Sequence, residues 1–113
     1  METAIQLFNS RQFFACHEAW EELWTHAQNP RRTFLQALIH FAVGLYHWER
    51  RNPDGAVRQL RKGLAKLSPF LPICENIDTQ RLFHDCSRAL EQILAGASGL
   101  DLPVIHLAHQ PAP

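Results

Sequence analysis

The sequence has no excess of either charge, since eleven Lys and Arg balance eleven Asp and Glu among its 113 residues. A neutral chain exerts no long-range attraction on nucleic acid or anionic lipid, so the sequence disfavours a nucleic-acid partner. Cysteine is also scarce: Cys16, Cys74 and Cys86 are odd in number and form no C-x-x-C pair. This usage favours reduced thiols over a disulfide framework and excludes a zinc ribbon.

Long apolar runs are missing as well. The most apolar stretch, residues 34–48, is interrupted by Gln36, His40 and His47 and is too short and too polar for a membrane span. Residues 1–30 contain no basic segment followed by an apolar run, as a secretory signal would. We therefore expect no membrane partner and a cytoplasmic location.

Strand signals are missing too, because no run shows the two-residue alternation of a half-buried strand. The sequence predicts an all-α fold, a single-domain antiparallel bundle of four main helices with a short N-terminal helical turn and an extended C-terminal tail. The bundle domain covers residues 1–99, and the proline-containing tail covers 100–113. We expect this tail to lie in a groove or on a partner subunit.

The helix limits follow from capping and breaking residues. The first two main helices are expected at about residues 11–27 and about 31–51. The third ends before Ser68, and its Gly63 permits a close helix contact. Residues 69–77 are expected to form a loop, after which Asp78 is a good N-cap for the fourth helix.

The most informative stretch, HEAWEELW, places His17, Glu21 and Trp24 at spacings of four and three. On a helix these side chains share an arc of about 60°, so the histidine and the carboxylate are neighbours. The surrounding aromatic residues predict that Glu21 lies among apolar groups. A carboxylate in that position needs an ionic or hydrogen-bonding partner.

The second main helix carries a further clue, because it is apolar nearly all the way round except for Gln36, His40 and His47. These three fall within an arc of about 40° and form one polar stripe. Since the short connection makes the first two main helices neighbours, we expect the stripe to meet His17 and Glu21 in one interior pocket.

Only some of these five polar residues could bind one divalent metal ion together. His40 and His47 are separated by about 10.5 Å along the helix axis, too far to share one ion easily. His17 and Glu21 with one histidine of the second helix form the more feasible set of ligands. The cofactor stays unknown at this stage. HEAWE does not match the H-E-x-x-H zinc motif, because Glu21 stands where the second histidine belongs.

The same residues carry a resemblance to a known family. The H-x-x-x-E-x-x-W string, followed by FLQALIHFAVGLYHW and RNPDGAVRQLRKGLAKL, resembles the bacterial family called domain of unknown function 309 over about residues 5–70. The resemblance implies a small α-helical protein and a functional importance of the motif, with no established reaction to transfer. The positions that match are His17, Glu21, Trp24, Gln36, His47, Asn52, Gly55 and Ala56. His40 stands where the family often has a second glutamine.

Two functional hypotheses follow. In the first, the polar cluster locks the bundle of a protein that works by binding an unknown protein partner or by forming a homodimer. In the second, the protein is a small-molecule or metal-dependent enzyme or binding protein. His17, Glu21 and His47 would then be catalytic, Trp24, Gln36 and His40 would contact the ligand, and His17 and Glu21 would hold any metal.

Overall fold

The computed structural model describes residues 1–109 and confirms the all-α prediction. Its five helices are α1 (Glu2–Asn9), α2 (Phe13–His26), α3 (Arg31–Glu49), α4 (Pro53–Leu67) and α5 (Thr79–Leu94). Helices α2 to α5 are the four main helices, and α1 is the short N-terminal segment. Residues 110–113, the end of the predicted tail, lie outside the described residues.

Helix α3 lies at the centre of the bundle, between α2 and α4. Its buried residues point in nearly every direction, as the sequence predicted; they are Phe34, Leu35, Ala37, Leu38, Ile39, Phe41, Ala42, Gly44 and Leu45. Although α3 is the most apolar stretch, neither it nor any other helix within residues 1–109 has the length and hydropathy needed to cross a membrane.

A close approach between α3 and α4 depends on Gly63. A Cβ atom at this position would lie 2.5 and 2.6 Å from two ring carbons of Phe41 and 3.1 Å from the carbonyl oxygen of Ala37. Phe41 is fully buried, so its ring has little freedom to move away. The structure therefore confirms the predicted close contact at Gly63.

Local capping sets the start of α4 and α5. The Asn52 side chain accepts a hydrogen bond of 3.0 Å from the Gly55 amide, and Pro53 occupies the first turn of α4. Asp78 accepts a bond of 2.9 Å from the Arg81 amide, which confirms it as the N-cap of α5.

The segment predicted as a loop at residues 69–77 contains more structure than expected. A 3-10 turn (Ser68–Phe70) leads into two short antiparallel strands, β1 (Ile73–Cys74) and β2 (Ile77–Asp78). Glu75 and Asn76, between the strands, have φ angles of 47° and 61°, the left-handed pair that a two-residue hairpin turn requires. Strands of two residues are too short to produce a visible alternation, which explains the difference.

The tail lies on this chain's own bundle as far as residue 109. Asn9 of α1 donates to the Ile105 carbonyl at 2.9 Å and accepts from the Ile105 amide at 2.8 Å. Leu107 pairs with Ile77 of β2, and the Ile105 side chain is buried. The tail therefore extends the small sheet and covers the core.

The close contact at Gly63 predicts that adding one methyl group there reduces the free energy of unfolding. In Gly63→Ala the overpacking against Phe41 should cost about 1 to 3 kcal/mol, more than the gain in helix propensity of about 1 kcal/mol. Gly99→Ala is the control, because no atom lies within 4 Å of its added Cβ. Urea unfolding should show a net loss of stability for Gly63→Ala alone, and equal stabilities would contradict the close contact.

Candidate functional site

His17 and Glu21 are in contact on α2, as their spacing predicted. The Nε2 atom of His17 lies 3.3 Å from Oε2 of Glu21, and its Nδ1 atom lies 3.0 Å from the carbonyl oxygen of Phe14. Both neighbouring atoms are hydrogen-bond acceptors. Each ring nitrogen of His17 therefore faces an acceptor, which restricts the orientation of the ring.

The predicted burial of Glu21 is wrong. Its side chain is 54% exposed, whereas that of His17 is 20% exposed. The reason lies in the neighbouring Trp20, which is fully buried and therefore lies on the side of α2 that faces the core. The next residue along a helix points about 100° away, so Glu21 turns towards solvent. The pair lies at the surface of the bundle and not in its interior.

Beside this pair is an open cleft between α2 and α3, which we call the α2–α3 cleft. It has a volume of about 180 Å³ and is lined by Phe14, His17, Val43, Tyr46 and His47. The Phe14 ring lies 5.3 Å, centroid to centroid, from both the His17 ring and the Tyr46 ring. The structure thus brings together His17 and His47, while Glu21 and Trp24 do not line this cleft.

The expected convergence of all five polar residues is not observed. His40 faces α4, where its Nδ1 atom donates to Oε1 of Gln59 at 2.7 Å. Gln36 is half-buried on α3 and is outside the cleft lining. His47 lines the cleft and also lies against the start of α4, since a Cβ added to Gly55 would approach its ring to 3.1 Å. The polar stripe therefore does not form one cluster, since His47 lines the cleft beside α2 whereas His40 pairs with α4.

No metal-binding set is assembled from these residues. Within residues 1–109, no group of three or more His, Cys, Asp and Glu side chains is placed to hold a metal ion. His40 is hydrogen-bonded to Gln59 of α4, while His17 and Glu21 are paired with each other on α2.

Trp24 is held by Arg32 of α3. The Arg32 guanidinium carbon lies 3.6 Å from the centre of the Trp24 ring, and Nη1 donates to the Trp24 carbonyl oxygen at 2.9 Å. The same nitrogen lies 3.4 Å from the Ala27 carbonyl oxygen. Arg32 therefore stacks on the ring and also satisfies carbonyl groups at the C-terminus of α2. This contact fixes the turn between the two helices.

The sequence reasoning missed Phe14, Val43 and Tyr46 as site residues. A signal was present: Phe14 precedes His17 by three residues, and Val43 precedes His47 by four. Both spacings place the apolar residue next to the histidine on the same helix face. Spacing within each helix does not show that these two faces, one on α2 and one on α3, pack against each other.

Comparison with known proteins places the chain in a family. The family model described as domain of unknown function (DUF309) matches residues 1–59, just over half of the chain, and the chain belongs to this family. It is also similar to the uncharacterized protein YpuF of Bacillus subtilis (strain 168), with 30% identity over 92 residues that cover 79% of this chain. The chain spans about half, 53%, of the length of that relative. Every residue that lines the α2–α3 cleft falls within the segment matched by the family model.

These contacts predict unequal costs for two substitutions. Arg32→Met should reduce the free energy of unfolding by about 1 to 3 kcal/mol, because the stacking and the charged hydrogen bond are lost together. Glu21→Gln should cost less than about 0.5 kcal/mol, as for other exposed helical ion pairs. Arg58→Met controls for loss of an exposed arginine. A larger cost for Glu21→Gln than for Arg32→Met in urea unfolding would contradict this ranking.

His40 predicts a pH dependence of stability. Burial lowers its pKa below the ordinary 6.5; Lys66 and Lys62 also lower it, while the Gln59 hydrogen bond opposes the shift. The unfolded chain therefore takes up this proton first as pH falls, and stability decreases below about pH 6.5. His40→Gln removes the contribution of this histidine to the pH dependence. Its free energy of unfolding, measured from neutral pH to about pH 5, should therefore fall less steeply than that of wild type. Parallel curves for the two proteins would contradict the lowered pKa.

Proposed function

We propose that the protein is a protein-interaction module whose α2–α3 cleft accepts one apolar side chain from a basic segment of a partner. The observation that carries this proposal is an aromatic residue, Phe14, left 50% exposed at the mouth of an open apolar cleft. Exposed aromatic residues beside a pocket are typical anchors of protein interfaces.

The volume of the cleft supports a side chain as the occupant. Small-molecule pockets in proteins usually measure about 300 to 1,000 Å³, and a cavity of about 150 Å³ holds a molecule of the size of benzene. At about 180 Å³ the α2–α3 cleft fits one leucine or phenylalanine side chain. Val43 and the Tyr46 ring supply apolar contacts for it.

Charge supports a basic partner. Helix α2 carries the exposed residues Glu18, Glu21 and Glu22 and contains no lysine or arginine. Glu21 contacts His17 and therefore stands directly beside the cleft. Lysine or arginine residues next to the docked apolar side chain would meet this acidic surface, which favours both the rate and the orientation of association.

The His17–Glu21 pair would then position the rim of the cleft. Because both ring nitrogens of His17 already face acceptors, the ring is held in one orientation against Phe14. Such pre-organisation reduces the conformational entropy lost on binding. An enzymatic role with Glu21 as general base has less support, because its carboxylate points to solvent and does not line the cleft.

The proposal predicts which peptides bind. In an array of short peptides with a central leucine, phenylalanine or alanine, flanked by lysine or by glutamate, the peptides with a large apolar centre and lysine flanks should bind most tightly. Fluorescence anisotropy should show that Phe14→Ala and the cleft-filling Val43→Phe weaken this binding at least about tenfold. Leu94→Ala is the matched control, since Leu94 is 57% exposed and lies outside the cleft.

Three results would contradict the proposal. These are an array without any binding peptide, a preference for glutamate flanks, and equal affinities for wild type and Phe14→Ala. Sedimentation equilibrium tests whether a second copy of the chain occupies the cleft. A dimer that is lost in Phe14→Ala but kept in Leu94→Ala would assign the cleft to a second copy of the chain instead.

A further inference from the structure

A second and larger cleft lies where the end of α3, the end of α5 and the tail meet. Its volume is about 620 Å³, within the range of about 300 to 1,000 Å³ that is usual for small-molecule sites. Apolar side chains from three segments form its walls, namely Trp48 of α3, Ile93 of α5, and Leu100 and Leu102 of the tail. We call it the α3–tail cleft.

The tail wall is firmly attached to α5. Gln92 donates to the Asp101 carboxylate at 2.9 Å and accepts from the Asp101 amide at 3.0 Å, so one side chain holds both groups of that residue. Asp101 lies between Leu100 and Leu102, and both leucines are therefore fixed in position. The walls of the cleft are thus all supplied by this chain.

Two opposite charges also line this cleft. Glu49 is the last residue of α3, and Arg51 follows it by two residues. Within residues 1–109 neither side chain has an ion-pair partner inside 4.0 Å. Glu49 is an exposed residue, and partial burial of its carboxyl raises the pKa of that group. A cationic group bound beside Glu49 would favour the ionised carboxylate.

Arg51 lies just past the end of α3, at a position where glycine could stand. Its φ angle is 59°, a left-handed conformation that ends α3 and that glycine adopts without steric cost. An arginine adopts this conformation with a steric cost. The chain nevertheless carries a guanidinium at this position, on the wall of the cleft.

From these observations we infer that the α3–tail cleft binds a small zwitterion with an apolar body, namely an α-amino acid with an apolar side chain. Glu49 would bind the ammonium group and Arg51 the carboxylate, in the fork geometry that guanidinium and carboxylate share. Trp48, Leu100 and Leu102 would contact the apolar side chain. This inference does not depend on the proposed function of the α2–α3 cleft.

Isothermal titration calorimetry of the full chain with L-leucine, L-phenylalanine and L-tryptophan tests the proposal. At least one of the three should bind saturably. For the phenylalanine skeleton, 3-phenylpropionate lacks the ammonium group and phenethylamine lacks the carboxylate. Each analogue should bind at least about tenfold more weakly than the amino acid. Failure of all three amino acids to saturate, or equal binding of an analogue, would overturn the assignment.

The chain offers a matched pair of variants. Arg51→Gly removes the guanidinium while relaxing the backbone, so the variant should fold as well as wild type and bind at least about tenfold more weakly. Arg11→Gly is the control: Arg11 has a φ of 64° at another helix end and does not line the cleft. Glu49→Gln should weaken binding in the same way, and Phe14→Ala should not. Unchanged affinity in Arg51→Gly, with both variants folded, would overturn the proposal.

Discussion

The burial of α3 between α2 and α4 is the constraint on which the rest of the structure depends. A helix without a solvated face can place polar side chains only in the grooves beside its neighbours or at its ends. The close contact at Gly63 fixes one of these neighbours, and the Arg32–Trp24 stacking fixes the other. His40 and His47 therefore lie in grooves whose partners are set by helix packing and not by their own spacing.

Both clefts are consequences of this arrangement. The last two turns of α3 supply Val43, Tyr46 and His47 to one cleft and Trp48 and Glu49 to the other. Adjacent residues on a helix point about 100° apart, which is why one short segment serves two separate surfaces. The first cleft is built wholly from the segment that the family model matches. The second also needs α5 and the tail, which lie beyond that segment.

The features that were predictable depend on neighbours in sequence. Asn52 and Asp78 are caps because their side chains reach an amide three residues ahead, and His17 meets Glu21 because residues four apart are adjacent on a helix. The exposure of Glu21 and the pairing of His40 with Gln59 were not predictable in this way. Both depend on how far each helix is rotated about its axis when it packs, and small differences in that angle move a borderline residue from core to surface.

The amino-acid sequence by itself determined the helical class, most helix limits, the central position of α3 and the His17–Glu21 pair, because each follows from local periodicity and capping. Only the tertiary structure decided that the pair lies at the surface, that Phe14 and Tyr46 form a cleft with two histidines, and that the tail completes a second cleft. These features join residues distant in the chain, and their geometry is set by side-chain packing over the whole bundle.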